Sequence, residues 1–386
     1  MRPRCQCDIL MALEFTISTP FENGSTKWPN VTIVTSVTSP NIGVVIGLAM
    51  LFFIIGVVGV VGNSLVIFAV LLNRKMRTSM TNLLITNLAI ADLVILLLGI
   101  PETILFMTNK GWTLDKMACK SNRFILVTAL YGSVLTLIAL CIERYVAIIH
   151  PIKAHILCNK RRITAVLGCL WPFAFGAGLP TLFFNDVRIL PGKEDPYCTI
   201  MFPYNHETFY KVFKYVESVL FYFIPLGIQL SLYLLISKHL FTGSDRLHRR
   251  VTIRSANGSS IERHSEALKL RRGVIKMLMM CVIVYFVSYS PNQILLIVET
   301  IRPATFHENF SYIVFTMIVA NINSAANPVL YSIFSQNFRK CFKLILCRCL
   351  RSRHSPEIRR ALHLTHGNGG TKSSGNSMAG LAFTEV

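Results

Sequence analysis

Arg144 lies twenty-five positions after Cys119, and most of the intervening residues are apolar until the chain reaches Glu143-Arg144-Tyr145. As a helix rising about 1.5 Å per residue, this stretch is about 37 Å long, enough to cross a hydrocarbon core of about 30 Å. One rod would then carry a thiol at one membrane face and a guanidinium at the other, where a long arginine side chain snorkels to water. A thiol on an oxidising face can anchor a neighbouring loop, and a charged group on the opposite face can act as a switch.

A second chemical signal is Asp92, in the middle of Asn87-Leu88-Ala89-Ile90-Ala91-Asp92. An acid at membrane depth is costly and points to function. Asn63, Ser133, Asn323, Ser324 and Asn327 fall at comparable depth on other apolar segments. Together they could hold a small cation such as sodium, or form a hydrogen-bond network without one. The remaining segment acids, Glu102, Glu217 and Glu299, lie toward the Cys119 side, with Arg123 one turn beyond that cysteine. Charges converging on one end of a bundle suit a cavity for a polar or ionic ligand. We find no metal-ligand cluster, nucleophile triad or phosphate-cradling glycine loop, and expect no enzymatic chemistry and no other cofactor.

The elements that must position these residues are long and apolar. The chain has 386 residues and is 52% hydrophobic, too apolar for an ordinary soluble domain. Seven segments are long enough to span: Ile42–Leu72, Ser79–Met107, Lys116–Ile149, Ile163–Phe183, Phe209–Phe241, Ala267–Thr300 and Phe310–Phe334. Gly56, Gly59 and Gly62 make a small-residue face on the first, suited to close helix packing. Prolines interrupt five segments (Pro101, Pro180, Pro225, Pro291, Pro328), each removing a backbone hydrogen bond and permitting a kink. The fold class is an all-α membrane protein, a seven-helix bundle spanning residues 42–334.

Net charge is +20, but its distribution excludes a nucleic-acid surface. Basic residues crowd the linkers after segments one, three and five and the region after seven, including Arg74, Lys75, Arg77, Lys160, Arg161, Arg162, Arg339 and Lys340. By the positive-inside rule the N-terminus is outside and the C-terminus cytoplasmic, in a multi-pass plasma-membrane protein. No signal-peptide core precedes the first segment, which is expected to serve as the insertion signal. Residues 1–41 form an outer N-terminus with glycosylation sequons at Asn23 and Asn30. Cys119 and Cys198 share the oxidising side, and a disulfide between them would fasten the intervening loop across the bundle mouth. After the last segment, residues 335–349 carry Cys347 and Cys349 among basic residues, a setting for palmitoylation. The loop from about Thr242 to Glu266 is basic and expected to be flexible. The tail 350–386 is read as disordered, and its end, Thr384-Glu385-Val386, fits a PDZ ligand.

In order along the chain, Gly62-Asn63, Leu88-Ala89-Ile90-Ala91-Asp92, Glu143-Arg144-Tyr145, Trp171, Pro225 with Tyr233, and Asn327-Pro328-Val329-Leu330-Tyr331 resemble the markers of rhodopsin-like (class A) G-protein-coupled receptors. The resemblance covers roughly Asn63 to Cys349 and includes the Cys119–Cys198 pair. It implies that Ser335-Gln336-Asn337-Phe338-Arg339-Lys340 opens a short amphipathic eighth helix on the inner membrane surface. It implies a resting Glu143–Arg144 pair, an active state supported by Tyr233 and Tyr331, and coupling through Val134, Pro225 and Tyr285. The sixth segment departs from the pattern: Ser288-Tyr289-Ser290-Pro291 replaces the usual Cys-Trp-x-Pro, so Tyr289 stands for the tryptophan toggle. The implied partners are a heterotrimeric G protein and arrestin, besides a PDZ scaffold and membrane lipid.

Leu126 occupies the place of the amine receptors' aspartate, and Asn321 that of the opsins' retinal lysine, which argues against a biogenic amine and a Schiff base. The run from His150 to Cys158 is similar to the second inner loop of thyrotropin-releasing-hormone, neuromedin and ghrelin-type receptors. A short neuropeptide is the favoured ligand, with contacts expected among Glu102, Arg123, Leu126, Glu217, Tyr289, Asn292, Gln293 and Glu299. The alternatives are the same fold with a non-peptide ligand or a secondary transporter. The latter would need an intramembrane charge path that the segments do not display.

Overall fold

The computed structural model describes residues 42–108, 110–152, 154, 159–189, 195–253, 258–301 and 310–354, with side chains described outside 240–253, 258–272, 299–301, 310 and 348–354. Seven helices among them are long and apolar enough to cross a membrane: Ile42–Leu72, Met80–Met107, Lys116–Ile149, Lys160–Phe184, His206–His239, Gly273–Val298 and Ser311–Phe334, called here the first to seventh spans. A five-residue helix, Arg74–Thr78, joins the first two, and a further helix, Gln336–His354, follows the seventh. The glycosylation sequons, the PDZ-like end and the side chains of Glu299 and Cys349 lie outside the described residues.

Several helices outrun their apolar segments. The fifth continues to Ile253 and the sixth begins at Gly258, so most of the stretch expected to be a flexible loop is helical. Backbone hydrogen bonding does not stop where hydropathy does, and this stretch holds no proline. The last helix runs to His354, beyond the expected limit at residue 349. Helix starts are set locally by side-chain oxygens. Asn73 accepts from the Lys75 and Met76 amides, Asp115 from Ala118, and Asn159 from Arg162, each satisfying an amide that has no intrahelical partner.

Packing follows the small residues. A Cβ on Gly59 would lie 2.4 Å from Leu96 Cδ1 and 3.1 Å from Ala325 Cβ, and one on Gly62 would lie 2.7 Å from Pro328 Cγ. The first span therefore meets the second and seventh through its glycine face, as its sequence predicts. The bundle core is apolar and shared by most spans, with Leu84, Leu88, Val134, Leu140, Ile236 and Tyr331 buried in it. Many large apolar side chains, among them Phe53, Phe173 and Leu234, point outward. In a membrane that face is solvated by lipid and is no liability.

The one sheet among the described residues is a hairpin between the fourth and fifth spans: β1, Asn185–Ile189, pairs antiparallel with β2, Pro196–Ile200. Cys198 on β2 is bonded to Cys119 at the start of the third span, across a sequence separation of 79 residues. Lys116 meets Asp186 at 2.9 Å, and Lys120 Nζ donates to Phe183 O at 2.9 Å. The Trp112 amide donates to Pro196 O at 2.6 Å. Gly111 precedes it at φ +62°, where a Cβ would sit 2.4 Å from that same oxygen, so only glycine fits this approach.

Candidate functional site

The third, fifth and sixth spans enclose a cavity of about 210 Å³ whose lining includes Tyr131, Lys214, Glu217, Tyr289, Asn292 and Gln293. Glu217 is held on both oxygens: Tyr131 Oη donates to Oε1 at 2.8 Å, and Lys214 Nζ donates to Oε2 at 2.8 Å. Lys214 was not legible as a site residue, because an acid and a lysine three apart on one helix face read equally well as a solvated pair. Glu207 and Lys211, nearer the start of the same helix, are such a solvated pair. Tyr131 also stacks on Phe221, with ring centroids 3.6 Å apart.

Along the cavity wall, where Phe221 and Tyr222 line it, the fifth span changes pitch. Val219–Phe223 forms a π turn that ends two residues before Pro225. Proline has no N–H, so it cannot return the bond that a regular turn would bring to Phe221 O. The Tyr285 hydroxyl, on the sixth span, donates to that carbonyl at 2.8 Å. Tyr222 Oη shares a hydrogen with Ser290 Oγ at 2.7 Å, and Tyr285 packs on Tyr289 with centroids 4.9 Å apart. The hydroxyls of Tyr285 on the sixth span and Tyr222 on the fifth thus bind the two spans together near Pro291, while Tyr289 contributes its ring.

The other residues expected to meet a ligand are arranged separately. Glu102 pairs with Arg123 at 2.5 Å and accepts from Asn122 Nδ2 at 2.8 Å. Arg123 also donates to Cys198 O at 3.3 Å, tying the second and third spans to β2. Leu126 is half-buried against the second span near Gly99. None of these three lines the cavity around Glu217.

At mid-bundle, Asn327 Nδ2 donates to Asp92 Oδ2 at 2.7 Å, and Asn63 Nδ2 donates to Ser324 O at 3.0 Å. Ser324 lies beside the Asp92 carboxylate. Asp92 Oδ1, Asn63 Oδ1, Asn327 Oδ1 and Ser324 Oγ are buried without a well-aligned hydrogen bond. Such an oxygen-rich pocket with unfilled acceptors fits a small hard cation or water. Ser133 and Asn323 are buried too, but neither bonds to the carboxylate.

At the far end, Glu143 and Arg144 form an ion pair, with Arg144 Nε donating to Glu143 Oε2 at 2.6 Å. Thr81, on the second span, joins both: its hydroxyl lies 3.2 Å from Glu143 Oε2 and in contact with Arg144 Nη2. Sequence reading missed Thr81 because nothing local marks one threonine among many. Tyr145 meets His150 edge-on at 5.8 Å. Tyr233 and Tyr331 are buried beside Cys141 and Cys281, and the Tyr331 ring packs on Phe338 of the last helix at 5.4 Å. Trp171 Nε1 donates to Asn87 Oδ1 at 2.9 Å, and Asn87 Nδ2 to Thr136 Oγ1 at 2.7 Å, joining the fourth, second and third spans.

Seven membrane-length helices thus carry a hairpin tethered by a disulfide, a polar cavity among three of the spans, a buried acid at mid-bundle and an arginine ion pair at the far end. Residues 62–331 match the model of the 7 transmembrane receptor (rhodopsin family), and the chain belongs to that family. It is 33% identical over 305 residues to neuropeptide receptor 15 of Caenorhabditis elegans, covering 76% of this chain and 88% of that one. It is 32% identical to human neuromedin-U receptor 1, covering 79% and 75%. The thyrotropin-releasing hormone receptor of Gallus gallus is 29% identical, with 78% of each chain covered.

Proposed function

We propose that this receptor binds a short extracellular neuropeptide and activates a heterotrimeric G protein at the Arg144 end of its bundle. The observation that carries this reading is the polar cavity among the third, fifth and sixth spans, in a chain that also carries a disulfide-tethered hairpin and whose relatives include receptors named for peptides. A cationic group of the ligand reaching Glu217 would compete with Lys214 for the carboxylate, and at Glu102 with Arg123. Binding drives signalling only if the ligand holds the open bundle more tightly than the resting one.

The crowding of basic residues in alternate linkers supports a plasma-membrane topology with the hairpin end outside and the Arg144 end in the cytoplasm. Sodium at Asp92 would favour one of the two states. The helix Gln336–His354 would lie along the inner leaflet, where Cys347, exposed in the structure, and Cys349 could be acylated. Arrestin and a PDZ scaffold complete the proposed partners.

The test is expression with a promiscuous G protein and calcium recording against a library of amidated neuropeptides. A saturable nanomolar response lost in Arg144→Ala, with surface binding retained, is the expected result. Full coupling by that variant would refute the switch. Silence across the library, with surface expression verified, would favour a non-peptide ligand.

A further inference from the structure

Five exposed cations on two segments around Cys341 have no role in the function described above. Arg74, Lys75 and Arg77 lie on the helix Arg74–Thr78, and Lys340 and Lys343 on Gln336–His354. The two segments are docked to each other. Met76 is buried with its sulfur 3.2 Å from Cys341 Sγ, and Asn73 Nδ2 lies 3.4 Å from the same atom. Neither segment contains an aspartate or glutamate, and among the described residues none of the five cations has an ion-pair partner. Leu344 and Leu346, on the same helix as two of the cations, are exposed and apolar.

Unpaired cations around one docking point repel one another unless an anion lies among them. Exposed leucines on the helix carrying two of them suit the boundary between headgroups and acyl chains. We propose that Arg74–Thr78 and the start of Gln336–His354 together bind the headgroup of a polyphosphorylated inositol lipid in the membrane leaflet they face. Clustered phosphates match several fixed cations at once, whereas a monovalent lipid such as phosphatidylserine neutralises them one at a time. Lys160, Arg161 and Arg162, at the start of the fourth span, are a separate basic run and serve as a comparison. The inner-leaflet placement rests on the topology proposed above, but the site itself does not.

The experiment uses the full-length receptor in phosphatidylcholine nanodiscs doped with labelled phosphatidylinositol 4,5-bisphosphate, with bound lipid read by energy transfer. Nanodiscs carry the lipid in both leaflets, so the result is independent of orientation, which glycosylation at Asn23 and Asn30 reports separately. Arg74→Gln/Lys75→Gln/Arg77→Gln and Lys340→Gln/Lys343→Gln should each weaken binding about tenfold or more, and Lys160→Gln/Arg161→Gln/Arg162→Gln by less than about twofold. The wild-type receptor, which needs no variant to fold, should prefer this lipid over phosphatidylserine at equal total charge. Equal retention by all three variants, or no preference over phosphatidylserine, would overturn the site. Competition by soluble inositol trisphosphate as strong as by the lipid would assign the cations to a free anion and overturn the lipid.

Discussion

Replacing Tyr285 with phenylalanine removes one oxygen and keeps the ring. That oxygen is buried and donates to Phe221 O at 2.8 Å, a carbonyl to which Pro225 can bring no N–H. Losing a partner from a buried carbonyl costs about 1–3 kcal/mol, rather than the smaller net worth of an exchanged hydrogen bond. At roughly 2–4 °C per kcal/mol, the melting temperature should fall by about 2–12 °C. A thiol-reactive dye suits the measurement, because Cys141 and Cys281 are buried and react only when the bundle opens. The decisive comparison adds Pro225→Ala, which returns an N–H to the fifth span. In that background Tyr285→Phe should cost at least about 0.5 kcal/mol less, beyond the scatter expected of independent sites. Equal costs in the two backgrounds would refute the claim that Tyr285 substitutes for the bond that proline removes.

Thr81→Val keeps shape but removes the hydroxyl shared by Glu143 and Arg144. Losing about 0.5–1.5 kcal/mol from the resting state should raise basal signalling roughly 2–10-fold, and unchanged basal activity at matched expression would count against the lock. Asp92→Asn should abolish the dependence of agonist affinity on sodium, and a wild-type sodium shift in the variant would exclude a cation there. Gly59→Leu should destabilise the receptor by about 1–3 kcal/mol through overpacking, whereas Gly47→Leu, which meets nothing within 4 Å, should be silent. A hydrogen bond from Lys116 holds the Asp186 carboxyl below its usual range. A depressed carboxylate contributes above the unfolded-state pKa of about 3.9 and is lost only as pH falls through its folded value. Agonist binding by wild type and Asp186→Asn should therefore run parallel from pH 8 to pH 5, and divergence within that window would contradict this assignment.

The spans were legible because a helix must be apolar for about 20 residues to cross a bilayer, and hydropathy reports that directly. Asp92 was legible for the converse reason: a charge in such a run is too costly to be incidental. Pairings between helices were not. Glu102 and Arg123 are separated by 21 positions and meet because two spans pack side by side, a relation that no local period encodes. Glu217 looked like a lone acid awaiting a cationic ligand, but Tyr131 and Lys214 already occupy its oxygens. The hairpin carries too few residues for alternation to stand out, and the π turn at Val219–Phe223 has no compositional mark beyond the proline that follows it.

The hairpin is attached to the third span by a disulfide, an ion pair and the Arg123 bond, and Lys120 joins that span to the fourth just before β1. All of these attachments exist before any ligand arrives. A peptide that contacts these two strands finds them already held, so the entropic cost of ordering them is absent from its binding free energy. Association is then governed by diffusion and orientation, which vary little among related ligands. Potency differences among peptide analogues should consequently reside in how long each stays bound, and washout kinetics will rank them better than rates of onset.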